Sequence, residues 1–257
     1  MIRLVFLLRR RPGSSLEEFQ DRWRDHHGPL VASHQTRLGI LRYTQSHRLD
    51  DPLNAALAGA RGGMEPPYDG VAELWWESEA TLAESSSTEA GRLAGAELLA
   101  DEAEFIDLPA SPLWLAHEYP QVNPTPEHLV ARPTNRLLKL HFPLRHRSEL
   151  SLDDAQRYWR TQHGPLIRSM APAMGMLRYQ QVHRFESPFE AALRGARGTV
   201  TEPYAGHAEA WFERTSAPPV PEAAEAGRRA VADEASFIDL PRSAIWIGKE
   251  HVFVDRI

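Results

Sequence analysis

Trp23-Arg-Asp-His-His-Gly-Pro-Leu30 occurs twice in this chain, and the second copy is Trp159-Arg-Thr-Gln-His-Gly-Pro-Leu166. Trp, Arg, His, Gly, Pro and Leu recur at identical places, 136 residues apart. The match spreads outward at the same displacement. Residues 38–49 (LGILRYTQSHRL) pair with residues 174–185 (MGMLRYQQVHRF) at seven of twelve positions. Ala55-Ala-Leu57, Gly59-Ala-Arg-Gly62, Tyr68 and Glu73-x-Trp75-x-Glu77 return as Ala191-Ala-Leu193, Gly195-Ala-Arg-Gly198, Tyr204 and Glu209-x-Trp211-x-Glu213. The displacement then falls to 132, where Phe105-Ile-Asp-Leu-Pro109 returns as Phe237-Ile-Asp-Leu-Pro241, so the second copy has lost four residues. Matches ordered in this way are a tandem duplication, and a repeat fixes the architecture before any propensity is weighed. The repeats fall at 1–118 and 136–257. Between them 119–135, with Pro120, Pro124, Pro126 and Pro133, reads as an extended linker.

Each repeat alternates its element types. Ile2, Leu4, Phe6 and Leu8, like Leu138, Leu140, Phe142 and Leu144, are apolar at period two, which predicts a strand with one buried face. Ser15-x-x-Glu18 has capping-box spacing, and Leu16, Phe19 and Trp23 then share a helical face. A second strand is expected at 41–47 and a third at 71–77. An Ala-, Glu- and Leu-rich helix, interrupted by serines 85–87, is expected over 79–102, and a fourth strand at 113–116. The order βαββαβ is ferredoxin-like. A four-stranded sheet with helices on one face leaves the other face bare, and a tandem repeat supplies two such faces. The expected fold is therefore α+β: two ferredoxin-like (βαββαβ) repeats forming an intramolecular pseudo-dimeric eight-stranded α+β barrel with helices outside. By strand parity Ala72, Leu74 and Trp76 pack under helices, and Val71, Glu73 and Trp75 (with His207, Glu209 and Trp211) face the inter-sheet space. Tyr43, Gln45 and His47 share a face, assigned to the lumen together with Tyr179, Gln181 and His183. Arg42 and Arg178 take the opposite one.

Bulk properties exclude several classes. The 257 residues carry a net charge of −6, so no global basic field speaks for nucleic acid or an anionic membrane. Without cysteine there are no disulfides, thiolate metal sites or Cys nucleophile. No apolar run approaches the ~20 residues of a membrane span, and 2–8 reads as a strand rather than a signal peptide. A cytoplasmic address follows by default. The twelve histidines show no metal-ligand spacing, so no metal is expected. No dinucleotide or phosphate-cradling pattern is present, so no cofactor is expected either.

The run Phe19-x-x-x-Trp23-x-x-x-His27-Gly-Pro-Leu30, then Arg42-Tyr43, then Tyr68-Asp-Gly-Val-Ala-Glu73-x-Trp75, resembles the EthD family of the dimeric α+β barrel superfamily. The second copy departs from it at Ala155 for Phe19 and at Ala205 for Asp69, which favours the first repeat as nearer the family pattern. The resemblance implies a barrel with an enclosed cavity that binds hydrophobic, often aromatic or polyketide-derived molecules. Cofactor-free decarboxylases, dehydratases, cyclases and lactone isomerases are implied among the relatives. It also implies a working pair of His and second-strand Tyr, here His27 with Tyr43 and His163 with Tyr179.

Each candidate has a plain structural alternative. His27 and His163 suit acid–base work, or they bond carbonyls freed where Gly-Pro interrupts the helix. Tyr43 and Tyr179 can donate to a developing oxyanion, or simply fill space. Glu73 and Glu209, on a buried face, need a partner. Pairing with His27 and His163 would set the imidazole tautomer, and pairing with Arg3, Lys139 or Arg61 would be structural. Trp23, Trp159, Trp75, Trp211, Tyr68, Tyr204 and His207 are candidate substrate contacts. His47 and His183 are candidates at the far end of the cavity, with strand-end exposure as their alternative. The insertions 50–70 and 186–206 are long enough to be lids. The expected function is a cofactor-independent lyase or isomerase for a hydrophobic aromatic or cyclic small molecule. A cofactor-free monooxygenase and a non-catalytic carrier are the alternatives. The single-chain pseudo-dimer is expected to stand as a monomer, with association into a homodimer left open.

Overall fold

The computed structural model describes residues 1–125, 128–215 and 220–257, so Pro126 of the expected linker lies outside the described residues. In the first repeat β1 (Ile2–Leu8) is followed by α1 (Leu16–Arg22), a π-helical turn (Trp23–His27) and α2 (Gly28–Ser33). Then come β2 (Arg42–Arg48), α3 (Pro52–Gly59), β3 (Gly70–Trp76), α4 (Glu79–Ser87), α5 (Glu89–Phe105) and β4 (Leu113–Val122). The second repeat runs β5 (Leu137–Leu144), α6 (Leu152–Tyr158), a second π turn (Trp159–His163), α7 (Gly164–Met170) and β6 (Met176–Arg184). It ends with α8 (Pro188–Arg197), β7 (Gly206–Glu213), α9 (Pro221–Glu234) and β8 (Trp246–Asp255). No helix among the described residues is long and apolar enough to cross a membrane.

The strands close into one antiparallel barrel in the order β1-β3-β2-β8-β5-β7-β6-β4. Each half is the ferredoxin-like order 4-1-3-2, and the halves are stitched by their last strands. β4 pairs β1 through Leu113–Ala116 and then β6 from Ala116 to Val122. β8 likewise pairs β5 and then β2. Tyr119–Val122, expected in the linker, is therefore strand: its backbone groups satisfy the edge of the other repeat's sheet.

Local signals set the helices. Ser15 Oγ accepts from the Glu18 amide while Glu18 Oε2 accepts from the Ser15 amide, a complete capping box. The break between α4 and α5 falls at Thr88, whose hydroxyl caps Gly91. The interruption expected at Gly28-Pro29 does not occur. The chain widens into a π turn closed by the Gly28 N–H on the Trp23 carbonyl, then continues as α2. Two features permit this. The residue before Pro29 is Gly, with no Cβ to oppose the Pro ring in helical geometry, and Pro29 has no N–H that needs an acceptor. Gln45 Nε2 covers the Trp23 carbonyl as well, at 2.8 Å, as Gln181 does for Trp159.

Trp23 and Trp159 are fully buried and lie on the glycines that open β3 and β7. A Cβ at Gly70 would stand 2.4 Å from the Trp23 ring and 2.8 Å from the Ser46 carbonyl, and at Gly206 2.6 Å from both Trp159 and the Val182 carbonyl. A ladder carbonyl cannot retreat. Gly70→Ala and Gly206→Ala are each expected to cost about 1–3 kcal/mol by overpacking, read as a lower urea midpoint at unchanged slope.

Candidate functional site

The barrel interior is packed except for a small cavity of about 80 Å³, lined by Arg3, Trp75, Lys139 and Trp211 among others. Arg3, Val5 and Leu7 of β1 point inward, and one end is packed by Trp114, Trp246, Tyr68, Tyr204, Val71 and Val182. At the other end lies an ion cluster. Lys139 Nζ reaches Glu73 at 2.7 Å, Glu209 at 2.8 Å and Glu250 at 3.2 Å. Arg3 contacts Glu73 and Glu209 and donates to Glu118 at 2.9 Å. Burial acts to raise the Glu209 carboxyl, but Arg3 and Lys139 hold it well below the usual range. The indoles of Trp75 and Trp211 donate to Glu118 and Glu250. Glu73 and Glu209 are thus partners of Arg3 and Lys139, not of His27 and His163, and they lie on the opposite side of the sheet from those histidines.

His141 and His207 share a hydrogen bond of 2.9 Å in the same interior, and burial pushes His207 down to about 3, so it is neutral. Glu73, His141, His207 and Glu209 form a grouping, among the described residues, with the donor set for a metal. Both carboxylates already contact Arg3 and Lys139, so a divalent ion there would be repelled by two buried cations and would compete with them for the same oxygens.

The cavities that His27 and His163 line lie elsewhere, one on the outer face of each half-sheet, under the helices. The first, about 130 Å³, is lined by His27, Tyr43, Ala72, Leu74, Trp76, Leu98 and Glu102 among others. The second, about 580 Å³, is lined by His163, Tyr179, Ala208, Ala210, Phe212, Ala230 and Glu234 among others. Ala72, Leu74 and Trp76 face the helices as parity predicts. Tyr43 and Tyr179 do so too, not the lumen: Tyr43 is opposite Leu74 and Tyr179 opposite Ala210, and cross-strand partners share a face. Arg42 and Arg178 point into the barrel, over Trp75 and Trp211.

His27 and His163 each have a carboxylate partner that the sequence reading did not single out. His27 Nδ1 lies 2.8 Å from Asp101 Oδ2, and His163 Nδ1 lies 2.7 Å from Asp233 Oδ2. The signal was present: Ala100-Asp-Glu-Ala103 returns as Ala232-Asp-Glu-Ala235 at the displacement of 132, immediately before the matched Phe105 and Phe237. The hydrogen bond from His27 holds the Asp101 carboxyl below its ordinary value, and that from His163 does the same for Asp233. Both aspartates therefore stay ionised and accept a hydrogen bond from Nδ1–H, which leaves Nε2 as the basic nitrogen. Asp101 is also bound by Arg22 at 2.5 Å, whereas the corresponding partner of Asp233 is the neutral Tyr158 hydroxyl at 2.8 Å.

Tyr179 O accepts from the Trp159 indole at 2.9 Å and from Gln181, and no described residue takes its own proton. Burial raises the phenol well above its ordinary value, so it is a donor throughout the neutral range. Tyr43 is held by Gln45 and Trp23 in the same way.

The remaining candidates are placed by packing. His47 stacks on Trp23 with ring centroids 4.6 Å apart, and His183 on Trp159 at 4.4 Å. Both are buried rather than exposed at strand ends, and burial depresses them, so they are neutral supports for the indoles. Tyr68 and Tyr204 face each other in the barrel, hydroxyls 3.2 Å apart. With Trp75, Trp211 and His207 they lie in the interior, away from the two flanking cavities, and Trp75 and Trp211 line the small cavity beside Arg3 and Lys139. Trp23 lines the first cavity. Asp69, absent from the second repeat, accepts from Arg10 and Arg48 and is structural.

The insertions do act as covers, but for the opposite repeat. Leu57, Ala60 and Arg61, in and just after α3, line the second cavity, and Leu193 and Arg197 of α8 line the first.

Fold and site together define a tandem α+β barrel with paired histidine–aspartate pockets on its flanks. The EthD domain pattern matches residues 11–109 and 147–241, so the chain belongs to the EthD family and carries its domain twice. No curated protein matches it significantly. Among solved structures, a putative monooxygenase from Fusobacterium nucleatum subsp. nucleatum ATCC 25586 is similar at 6% identity and a TM-score of 0.53. That match covers 98% of this chain and 93% of the other. A putative monooxygenase from Lactobacillus acidophilus NCFM is similar at 8% identity and 0.45, covering 99% and 96%. An ethyl tert-butyl ether D (EthD) family protein from Bacillus halodurans C-125 is similar at 18% identity and 0.33, covering 46% of this chain and 99% of that one. At 6% identity the Fusobacterium match speaks for the fold alone.

Proposed function

We propose that the chain is an acid–base enzyme, a lyase or isomerase, for an apolar cyclic small molecule bound in the second repeat's pocket. The observation that carries this reading is His163, oriented by Asp233 at 2.7 Å, at the wall of an apolar cavity of about 580 Å³. That volume lies in the ordinary range for small-molecule sites, roughly 300–1,000 Å³. A substrate carbonyl would accept the Tyr179 proton as a hydrogen bond. A proton from the adjacent carbon would pass to His163 Nε2, with Asp233 stabilising the imidazolium. Returned at another carbon the proton completes an isomerisation, and given to a leaving group it completes an elimination. Chain groups alone suffice for such a step.

α-Deuteration of bicyclic ketones in D₂O, followed by proton NMR, tests the proton transfer directly. The protein is expected to exchange the α-protons above the buffer rate, and the rate of a His27→Gln/His163→Gln double variant should equal buffer. Exchange unaffected in the double variant would sink the reading. Tyr179→Phe is expected to slow exchange by about 10²-fold, the usual loss for one oxyanion donor. The same base could instead ionise an aromatic substrate for direct reaction with oxygen, a reading suggested by the neighbour named a putative monooxygenase. Oxygen uptake with stoichiometric product separates the two.

A further inference from the structure

Beside each His-binding aspartate stands a glutamate, Glu102 or Glu234, buried and lining the same cavity. A buried carboxylate at an apolar cavity needs a counter-charge. In each case it comes from the other repeat. Arg61 donates to Glu234 through Nε and Nη2, both at 2.7 Å, and Arg197 donates to Glu102 at 2.8 and 2.9 Å. The fork geometry is bidentate and the four side chains are almost wholly buried, which makes these pairs positional rather than decorative. Arg61 Nη1 also donates to the Leu57 carbonyl, tying the guanidinium to the end of its own helix. The other end of α3 is pinned where the Asn54 side-chain oxygen accepts from the Ile247 amide. The cover helix is therefore fixed at both ends, and its second fixing point adjoins the residue that orients His163.

We infer that Arg61 is a positioning residue for the second site and Arg197 for the first: each repeat supplies, across the barrel, the cation that seats the cover and sets the electrostatics of the other repeat's histidine. Around His163 the charged and titratable groups are Asp233, Glu234 and Arg228 of α9, Tyr179 of β6, Tyr158 of α6 and Arg61 from the cover. Of these only Arg61 comes from the first repeat. Its loss leaves Glu234, next in the chain to the Asp233 that binds His163 and lining the same cavity, a buried carboxylate without its counter-ion.

This inference rests on the site reading above, but its test is made on imidazole titration and not on turnover, so the two fail separately. The His27 and His163 proton resonances are assigned with His27→Gln and His163→Gln, then titrated in the full chain. Arg61→Met is expected to raise the His163 midpoint by about half a pH unit or more and leave His27 in place. Arg197→Met is expected to do the reverse, and Glu234→Gln to lower the His163 midpoint. Arg61→Lys, which keeps the charge, should restore most of the original value. A general loss of stability would move both histidines or neither. The inference is overturned if each variant moves the histidine of its own repeat, if both move together, or if neither moves. Should Arg61→Met not fold, Glu234→Gln probes the same pair at conserved volume, and an unmoved His163 there overturns it equally.

Discussion

Replacing His163 by Gln is expected to lower turnover about 10³-fold, within the 10²–10⁴ range for loss of a positioned acid–base group, while His27→Gln lowers it several-fold at most. The asymmetry follows from two differences between otherwise parallel pockets. The first is room. Where the first pocket has Leu74, Trp76 and Leu98, the second has Ala210, Phe212 and Ala230, and the cavities differ accordingly, about 130 against 580 Å³. In the first repeat α4 also contributes Leu82 and Ser86 to the wall, and no helix among the described residues corresponds to it. The second difference is charge. Asp101 shares its carboxylate between His27 and Arg22, so part of its field is already neutralised. Asp233 is shared with a phenol and keeps its full charge for the imidazolium that forms when His163 takes a proton. The second pocket thus combines the larger room with the less neutralised aspartate. Equal losses from the two single variants, or a larger one from His27→Gln, would reverse this assignment.

What the sequence shows of this site depends on how one-sided each element is. The third strand alternates between apolar Ala72, Leu74, Trp76 and polar-or-bulky Glu73, Trp75, so its parity was legible, and both faces fall where expected. The second strand has polar residues on both faces, Tyr43, Gln45, His47 against Arg42, Thr44, Ser46. Nothing in that alternation says which side is helix-covered. Only the register, Tyr43 opposite Leu74, decides it. From that one ambiguity came the expectation of a luminal site, with Glu73 and Glu209 as the histidines' partners. The true partners lie on α5 and α9, where Asp101 and Asp233 are one pair of acids among several in Ala- and Glu-rich helices. Helical periodicity gives them no special face; the duplication at a displacement of 132 does. The exchange of covers between repeats was beyond reach, because it depends on how two sheets are turned against each other as the barrel closes.

The ion cluster inside the barrel predicts the largest change in stability. Arg3→Met removes a cation, 1% exposed, that contacts Glu73, Glu118 and Glu209, and leaves Lys139 as the cation shared by Glu73, Glu209 and Glu250. Breaking a buried pair from one side costs about 3–5 kcal/mol, because the surviving charge is stranded in low dielectric. For a chain of this size that is a fall in melting temperature on the order of 6–10 °C. The pH dependence carries a definite sign. In the native protein Glu209 is held below its ordinary range, so its contribution is complete above the unfolded glutamate value, about 4.3. That contribution is lost as pH falls through the depressed folded value. In Arg3→Met desolvation is less opposed, the carboxyl rises, and the folded variant binds a proton at higher pH than the native protein does. The gap in stability between the two should therefore narrow as pH falls from 7 toward 4. Arg3→Met combined with Glu209→Met removes both charges and leaves Lys139 paired with Glu73 at 2.7 Å. The double variant should accordingly melt above the Arg3→Met single, since Glu209 is then no longer stranded without Arg3. Additive losses at constant pH dependence would mean that the cluster holds its members as independent, solvated charges, which their burial and shared contacts argue against.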